Sequence, residues 1–288
     1  MRSEPARAPG AATSASHAHE RLFISDLHLS PERERLTALF LQWLQARAAG
    51  SAALYILGDL FDAWVGDDDD TYREVESALA AVAAAGTRCL FMHGNRDFLI
   101  GRGFARRSGC RRLRDPTHIN LGGEPVLLMH GDLLCTDDVA YQRFRRRVRN
   151  PLVQWLFRRQ PLTKRRRIAA EYRQRSAAAM ADKPNAIMDV NTEAVQRLMQ
   201  RYGVRRLIHG HTHRPADHEL RLDGAPAYRH VLADWSGDGG EVLVAANGTL
   251  RREAVRPTQP PAGGGAPSPK PPGPPIEHRR HPTLQAPR

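Results

Sequence analysis

Leu22-Phe23-Ile24-Ser25-Asp26-Leu27-His28 is an apolar run that stops on a carboxylate and an imidazole. The run reads as a buried strand, and the groups that follow it are metal-binding types. Four more stretches repeat the pattern. Gly58-Asp59 follows Leu54-Tyr55-Ile56-Leu57, and Gly94-Asn95-Arg96-Asp97 follows Cys89-Leu90-Phe91-Met92. His130-Gly131-Asp132 follows Val126-Leu127-Leu128-Met129, and Gly210-His211-Thr212-His213 follows Leu207-Ile208. One Asp-x-His is a weak signal. Five such blocks at strand ends are a strong one, because the carboxyl ends of strands in open α/β sheets converge on one crevice.

Working outward, helical patterns fill the spaces between the strands. Leu36, Leu39, Phe40, Trp43 and Leu44 recur at helical spacing after Pro31. Val75, Leu79 and Val82 do so before Gly86, and Val195, Leu198, Met199 and Tyr202 before Gly203. Further strands are expected at 227–232 and 241–244. This βα alternation predicts a parallel or mixed sheet with helices on both faces.

Residues 137–185 break the alternation. They read as basic helices interrupted at Pro151 and Pro161, an insertion placed to hang over the crevice as a lid. They hold fourteen Lys and Arg against four Asp and Glu, most of the chain's net charge of +12. The expected core is close to neutral, so the charge marks one surface for a polyanion, an anionic membrane or a phosphorylated substrate. Leu152-Val153-Gln154-Trp155-Leu156-Phe157 lies between arginines, as an interfacial helix requires. The rival reading of the arginines is a solvated face.

Residues 1–19 and 257–288, the latter rich in Pro and Gly, are expected to be disordered. The catalytic domain then spans 20–256. No apolar run approaches the ~18–20 residues needed to cross a bilayer, and no signal-peptide core precedes Glu20. Cys89, Cys110 and Cys135 have no disulfide or zinc spacing. A cytoplasmic protein is expected.

Mixed Asp, Asn and His donors suit Mn²⁺, Fe²⁺ or Zn²⁺ better than Ca²⁺. Two such ions ~3.5–4 Å apart can activate water and clamp phosphoryl oxygens. Asp59 is the natural bridging carboxylate and Asn95 the natural neutral oxygen donor. His93, His130 and His209 each stand in an apolar-His-Gly sequence, and pattern alone does not separate them. Asp62 and Asp97 are read as groups that hold ligands or loops, and Asp67–Asp70 as a solvated loop without EF-hand spacing.

Taken in order, the five blocks resemble the calcineurin-like metallophosphoesterases. With Cys135-Thr136-Asp137-Asp138 and Ala186-Ile187-Met188-Asp189-Val190, residues 21–235 are similar to one branch, the UDP-2,3-diacylglucosamine diphosphatases of lipid A biosynthesis. The resemblance implies a four-layered αββα sandwich of metallophosphoesterase type with a helical lid. It implies two divalent ions, expected to be Mn²⁺, one on Asp26, His28, Asp59 and His213 and the other on Asp59, Asn95, His130 and His211. It thereby selects His130 among the three look-alikes. Asn95, Arg96 and His211 acquire catalytic parts, and Asn95, Arg96, Asp138, Ser176, Lys183 and His211 acquire substrate contacts. Met180 stands where some relatives have a polar contact residue. The implied reaction is hydrolysis of the pyrophosphate of UDP-2,3-diacylglucosamine by metal-activated water, giving UMP and 2,3-diacylglucosamine 1-phosphate (lipid X), at the cytoplasmic face of the inner membrane. A phosphodiesterase or nucleotide pyrophosphatase with a soluble substrate is the alternative. Nucleic-acid binding has no motif behind it and no interleaved aromatics.

Overall fold

Eleven strands form two sheets in the computed structural model, which describes residues 17–181 and 189–257. In the first sheet β1 (Arg21–Ile24), β2 (Ala53–Ile56), β3 (Arg88–Met92) and β4 (Arg111–Leu113) run parallel. The antiparallel pair β10 (Gly240–Ala246) and β11 (Thr249–Val255) extends it beyond β1. In the second sheet β6 (Glu124–Met129), β7 (Arg206–His209) and β9 (Ala225–Val231) are parallel. β5 (Thr117–Leu121) and β8 (Ala216–Leu222) are its antiparallel edges.

Alternation along each strand sorts the side chains into layers. Leu22, Ile24, Leu54, Ile56 and Phe91 face helices α1 (Glu34–Trp43), α2 (Arg73–Ala84) and α3 (Arg102–Ser108). Phe23, Tyr55, Met92 and Leu243 face the other way and pack between the sheets against Val126, Leu128 and Ile208. Leu127, Met129 and Leu207 continue through the second sheet to α7 (Thr192–Tyr202), meeting Val195 and Met199. The layers are therefore helix, sheet, sheet, helix, as expected. A one-residue slip in any central strand would exchange its two apolar faces. Each fully buried Leu or Phe contributes about 1.5–3 kcal/mol, so the register is firmly held.

The helices expected from spacing are present, and α1 runs on into a π-helical turn at Leu44–Ala48. Asn191 caps α7 by accepting from the Ala194 amide at 3.0 Å, and Gly203 ends it with φ of 62°. Five elements were not expected from the sequence: α3, β4, β5, β8 and β11. All are short or half-exposed, with arginines and polar residues in place of an apolar period.

The insertion forms three helices, α4 (Val139–Val148), α5 (Pro151–Arg158) and α6 (Leu162–Ala181). The breaks fall at Pro151 and Pro161. Pro151 is at the first turn of α5, where its missing N–H costs nothing. α6 docks through arginines on the acidic loop. Arg165 pairs with Asp68 and donates to the Val65 carbonyl at 2.7 Å, and Arg166 pairs with Asp69 at 2.7 Å. Asp67 accepts from the Gly101 and Gly103 amides and the Trp64 indole. Asp68 and Asp69 are thus the seat of the lid, where the sequence suggested a solvated loop and helix start, while Asp70 stays exposed. Residues 1–16 and 258–288, which carry most of the expected terminal disorder, lie outside the described residues.

Candidate metal centre

The two sheets bring all five blocks to one edge. β1 and β2 are joined beyond their ends by Asp26 N to Gly58 O at 3.1 Å and His28 N to Asp59 O at 2.9 Å. β6 and β7 are joined by Gly210 N to His130 O at 2.8 Å. The sheets meet where the His211 amide donates to Asp26 Oδ2 at 2.8 Å. Asp26, His28, Asp59, His211 and His213 all have left-handed backbone, with φ between 51° and 73°. That region is uncommon for residues other than glycine and concentrates where function over-determines the chain.

Two glycines explain why the blocks carry Gly at fixed places. A Cβ on Gly94 would stand 2.0 Å from Asp59 Oδ1, and one on Gly210 would stand 2.2 Å from Asp26 Oδ2. Neither position has room for a side chain.

The seven expected donors gather in one cluster. Asn95 Oδ1 lies 2.9 Å from both His130 Nε2 and His211 Nδ1. Asp59 Oδ2 lies 3.8 Å from His28 Nδ1 and 3.9 Å from His130 Nε2. His213 Nε2 lies 3.1 Å from His28 Nε2 and 3.5 Å from Asp26 Oδ1. Ligand bonds of about 2.0–2.2 Å to one ion place neighbouring donors roughly 3.0–3.5 Å apart, close to these separations. His130 donates from Nδ1 to the Leu57 carbonyl at 2.9 Å, which turns Nε2 into the cluster. Asp26 Oδ1 and His28 Nδ1 are buried with no hydrogen-bond partner. Orphaned polar atoms inside a donor cluster are what a cation would satisfy, so the residues fit a metal centre.

The electrostatics agree. Burial holds His28 down at about 3, and burial together with charge on His130 holds His211 at about 4, so both present neutral imidazoles. Neutral imidazole is the form that binds metal. Burial and the neighbouring Asp26 push Asp59 up to about 6. Burial would also raise Asp26, but the surrounding imidazoles hold it well below the usual range. His130 goes the other way. Burial would lower it, yet Asp59, Asp132 and Asp26 raise it to about 9. A cation in the cluster would compete with that proton.

The look-alikes serve the loops. His93 donates from Nε2 to the Ile100 carbonyl at 2.7 Å, and His209 from Nδ1 to Gly210 O at 2.8 Å. Asp97 accepts from the Gly94 and Leu60 amides at 2.8 and 2.9 Å and so ties the second block to the third. Asp62 holds the Arg96 guanidinium at 2.8 Å.

Of the expected substrate contacts, Asn95, Arg96 and His211 are at the cluster. Asp138 caps α4, accepting from the Tyr141 amide at 3.0 Å, and Ser176 is exposed on α6. Lys183 and the side chain of Met180 lie outside the described residues. Sequence reading missed the lid's own anchors. Asp132 is buried and accepts from Tyr141 OH at 2.8 Å and Arg145 Nε at 2.6 Å, while Arg149 donates to the Gly94 carbonyl at 2.8 Å. The i, i+4 spacing of Tyr141 and Arg145 was the available signal.

A family model, the calcineurin-like phosphoesterases, matches residues 21–215. The chain belongs to this family of hydrolases, which work with a dinuclear metal site. Curated relatives narrow the class. A UDP-2,3-diacylglucosamine hydrolase of Azotobacter vinelandii is 53% identical over 229 residues, 79% of this chain and 95% of the relative. The protein of that name from Pseudomonas aeruginosa is 54% identical with the same coverage, and that from Serratia proteamaculans 51% identical over 228 residues, 78% and 95% of the two chains. Within the phosphoesterases, the chain's family is that of the UDP-2,3-diacylglucosamine hydrolases.

Proposed function

We propose that this chain hydrolyses the pyrophosphate bond of UDP-2,3-diacylglucosamine, giving UMP and 2,3-diacylglucosamine 1-phosphate in lipid A biosynthesis. The observation that carries the reading is the seven-donor cluster lying against an amphipathic lid, in a chain about half identical to proteins named for that substrate. The working unit is residues 20–256, with 137–185 as lid. Asp26, His28, Asp59 and His213 would hold one ion, and Asp59, Asn95, His130 and His211 the other. Mn²⁺ is the proposed metal, because mixed oxygen and imidazole donors suit it. Two bound ions supply Lewis-acid charge for in-line displacement at phosphorus.

The chain's own residues supply orientation. The Arg96 amide donates to Asp59 Oδ1 at 2.8 Å, so the arginine that meets phosphate is anchored on the bridging carboxylate. A guanidinium fork matches phosphate oxygens. Asn95 adds a donor without adding negative charge, and neutral His211 does the same, so the dianionic pyrophosphate is not repelled. The oxygen of a water joins the uridine-side phosphorus. The bridging P–O bond breaks, and its oxygen leaves with the glucosamine 1-phosphate. Asp138, Ser176 and Lys183 are the further substrate contacts in this reading.

The lid takes the greasy end. Leu152, Trp155 and Leu156 are 64%, 45% and 50% exposed, and Phe144 and Tyr172, in ring contact with each other, are exposed as well. Among the described residues no helix is long and apolar enough to cross a membrane. Attachment to the cytoplasmic face of the inner membrane would rest on lid arginines, at about 1 kcal/mol per basic residue near an anionic surface.

The test is turnover in detergent micelles with Mn²⁺, comparing UDP-2,3-diacylglucosamine, bis-p-nitrophenyl phosphate and single-stranded DNA. A strong preference for the acylated nucleotide is expected. Equal or better turnover of the soluble diester would sink the lipid reading.

A further inference from the structure

Asp62 stands between two guanidiniums that come from different parts of the molecule. Its Oδ1 accepts from Arg96 Nη1 at 2.8 Å, and its Oδ2 pairs with Nη1 of Arg173 on lid helix α6. Asp62 is 20% exposed, Arg96 27% and Arg173 35%, so the three charges sit at the mouth of the crevice, partly screened from water.

A carboxylate with no second partner is free to form a two-pronged pair with an arginine, both oxygens on one guanidinium edge. Arg96 paired in that way would spend two donors on Asp62. Arg173 prevents it by occupying Oδ2. Arg96 is left with a single bond to Asp62 and keeps a guanidinium edge for an anion. The trio also carries a net charge of +1 in place of the zero of a closed pair, which favours a phosphate at the mouth.

We propose that Asp62 is a positioning residue, which orients Arg96 toward the substrate's phosphate only while Arg173 of the docked lid holds its other oxygen. This rests on the phosphoesterase reading of the crevice. It makes the lid more than a cover: docking α6 sets the phosphate-binding arginine. The seat for that docking is already built, because Arg165 and Arg166, about two turns earlier on α6, are fastened to Asp68 and Asp69.

The experiment is a set of double-mutant cycles on the full chain loaded with Mn²⁺. Asp62→Asn and Arg173→Ala are each made alone, together, and in an Arg96→Ala background. Rates are measured on UDP-2,3-diacylglucosamine and on bis-p-nitrophenyl phosphate. Each single change is expected to lower kcat/KM about tenfold, mainly through KM. In the Arg96→Ala background neither should cost more than about twofold, because the residue they position is gone. Asp62→Glu, which restores two acceptor oxygens, should recover much of the loss. The idea is overturned if the tenfold losses persist without Arg96, as they would for a merely structural role. It is also overturned if the singles are silent. A wild-type chain inactive on the acylated nucleotide but active on the diester would sink the substrate reading alone, and the cycles on the diester would still decide the role of Asp62.

Discussion

The backbone amide of His211 donates to Oδ2 of Asp26 at 2.8 Å, which joins the last block of the site to the first across the seam between two sheets. Asp26 also accepts from Ser25 Oγ at 2.5 Å on the same oxygen. One carboxylate oxygen is thus spent on holding the site together. The other, Oδ1, is buried with no hydrogen-bond partner and faces His213 Nε2 at 3.5 Å. One oxygen of Asp26 thus ties the two sheets together, while the other is left facing the donor cluster.

Loss of the bridge should remove more than one ion. Asp59→Ala is expected to abolish hydrolysis and to reduce bound metal from two equivalents to less than one. Elemental analysis after dialysis measures this directly, and two retained ions would defeat the assignment of Asp59.

Gly94 and Gly210 should be as sensitive as the ligands. Their added methyl groups would meet Asp59 and Asp26 at 2.0 and 2.2 Å. Overpacking of this kind costs about 1–3 kcal/mol, which a chain of this size survives. Gly94→Ala and Gly210→Ala should therefore stay folded by circular dichroism and lose activity by at least about a hundredfold. Near-normal turnover in either would show that the cluster is looser than its geometry.

The lid seat should be acid-labile. Burial works against ionisation of Asp69, but hydrogen bonds from Arg166 and Thr71 outweigh it and hold the carboxyl down at about 2. A carboxyl whose folded value is depressed contributes stability that is present above its unfolded value of about 4. That contribution fades as pH falls from there toward 2. Proteolytic cleavage within 137–185 should accelerate over that window, read against cleavage of the core. Asp69→Asn should be already loose at neutral pH and show less acceleration.

Apolar residues of α5 should divide by direction. Phe157 packs partly against the first core, whereas Leu152, Trp155 and Leu156 stay exposed. Polar replacements at the exposed three should reduce turnover of the diacylated nucleotide at least about tenfold more than that of a small phosphodiester. A polar residue at Phe157 should instead lower the melting temperature and damage both activities. Equal damage from the exposed three would leave the lipid reading without its lid.

Short-range pattern was enough for much of this protein. Strand runs such as Leu54–Leu57 and helical stripes such as Val75, Leu79 and Val82 have periods that local chemistry imposes, so the layers were legible. The gathering of the seven donors was legible too, because side chains at the carboxyl ends of neighbouring strands converge on one crevice. Local pattern did not separate the three apolar-His-Gly histidines; the family resemblance selected His130, and only the tertiary structure supplies the physical reason. His130 faces the cluster because the Leu57 carbonyl from a neighbouring block takes its other nitrogen, whereas His93 and His209 find carbonyls of their own loops. Tertiary structure alone decided that Asp68 and Asp69 are a seat and that Asp62 lies between Arg96 and Arg173. Those partners are about a hundred residues apart for the seat and 34 and 111 apart for Asp62. Charge pairs carry no periodicity, so no spacing in the chain announces them before the sheets and the lid have closed.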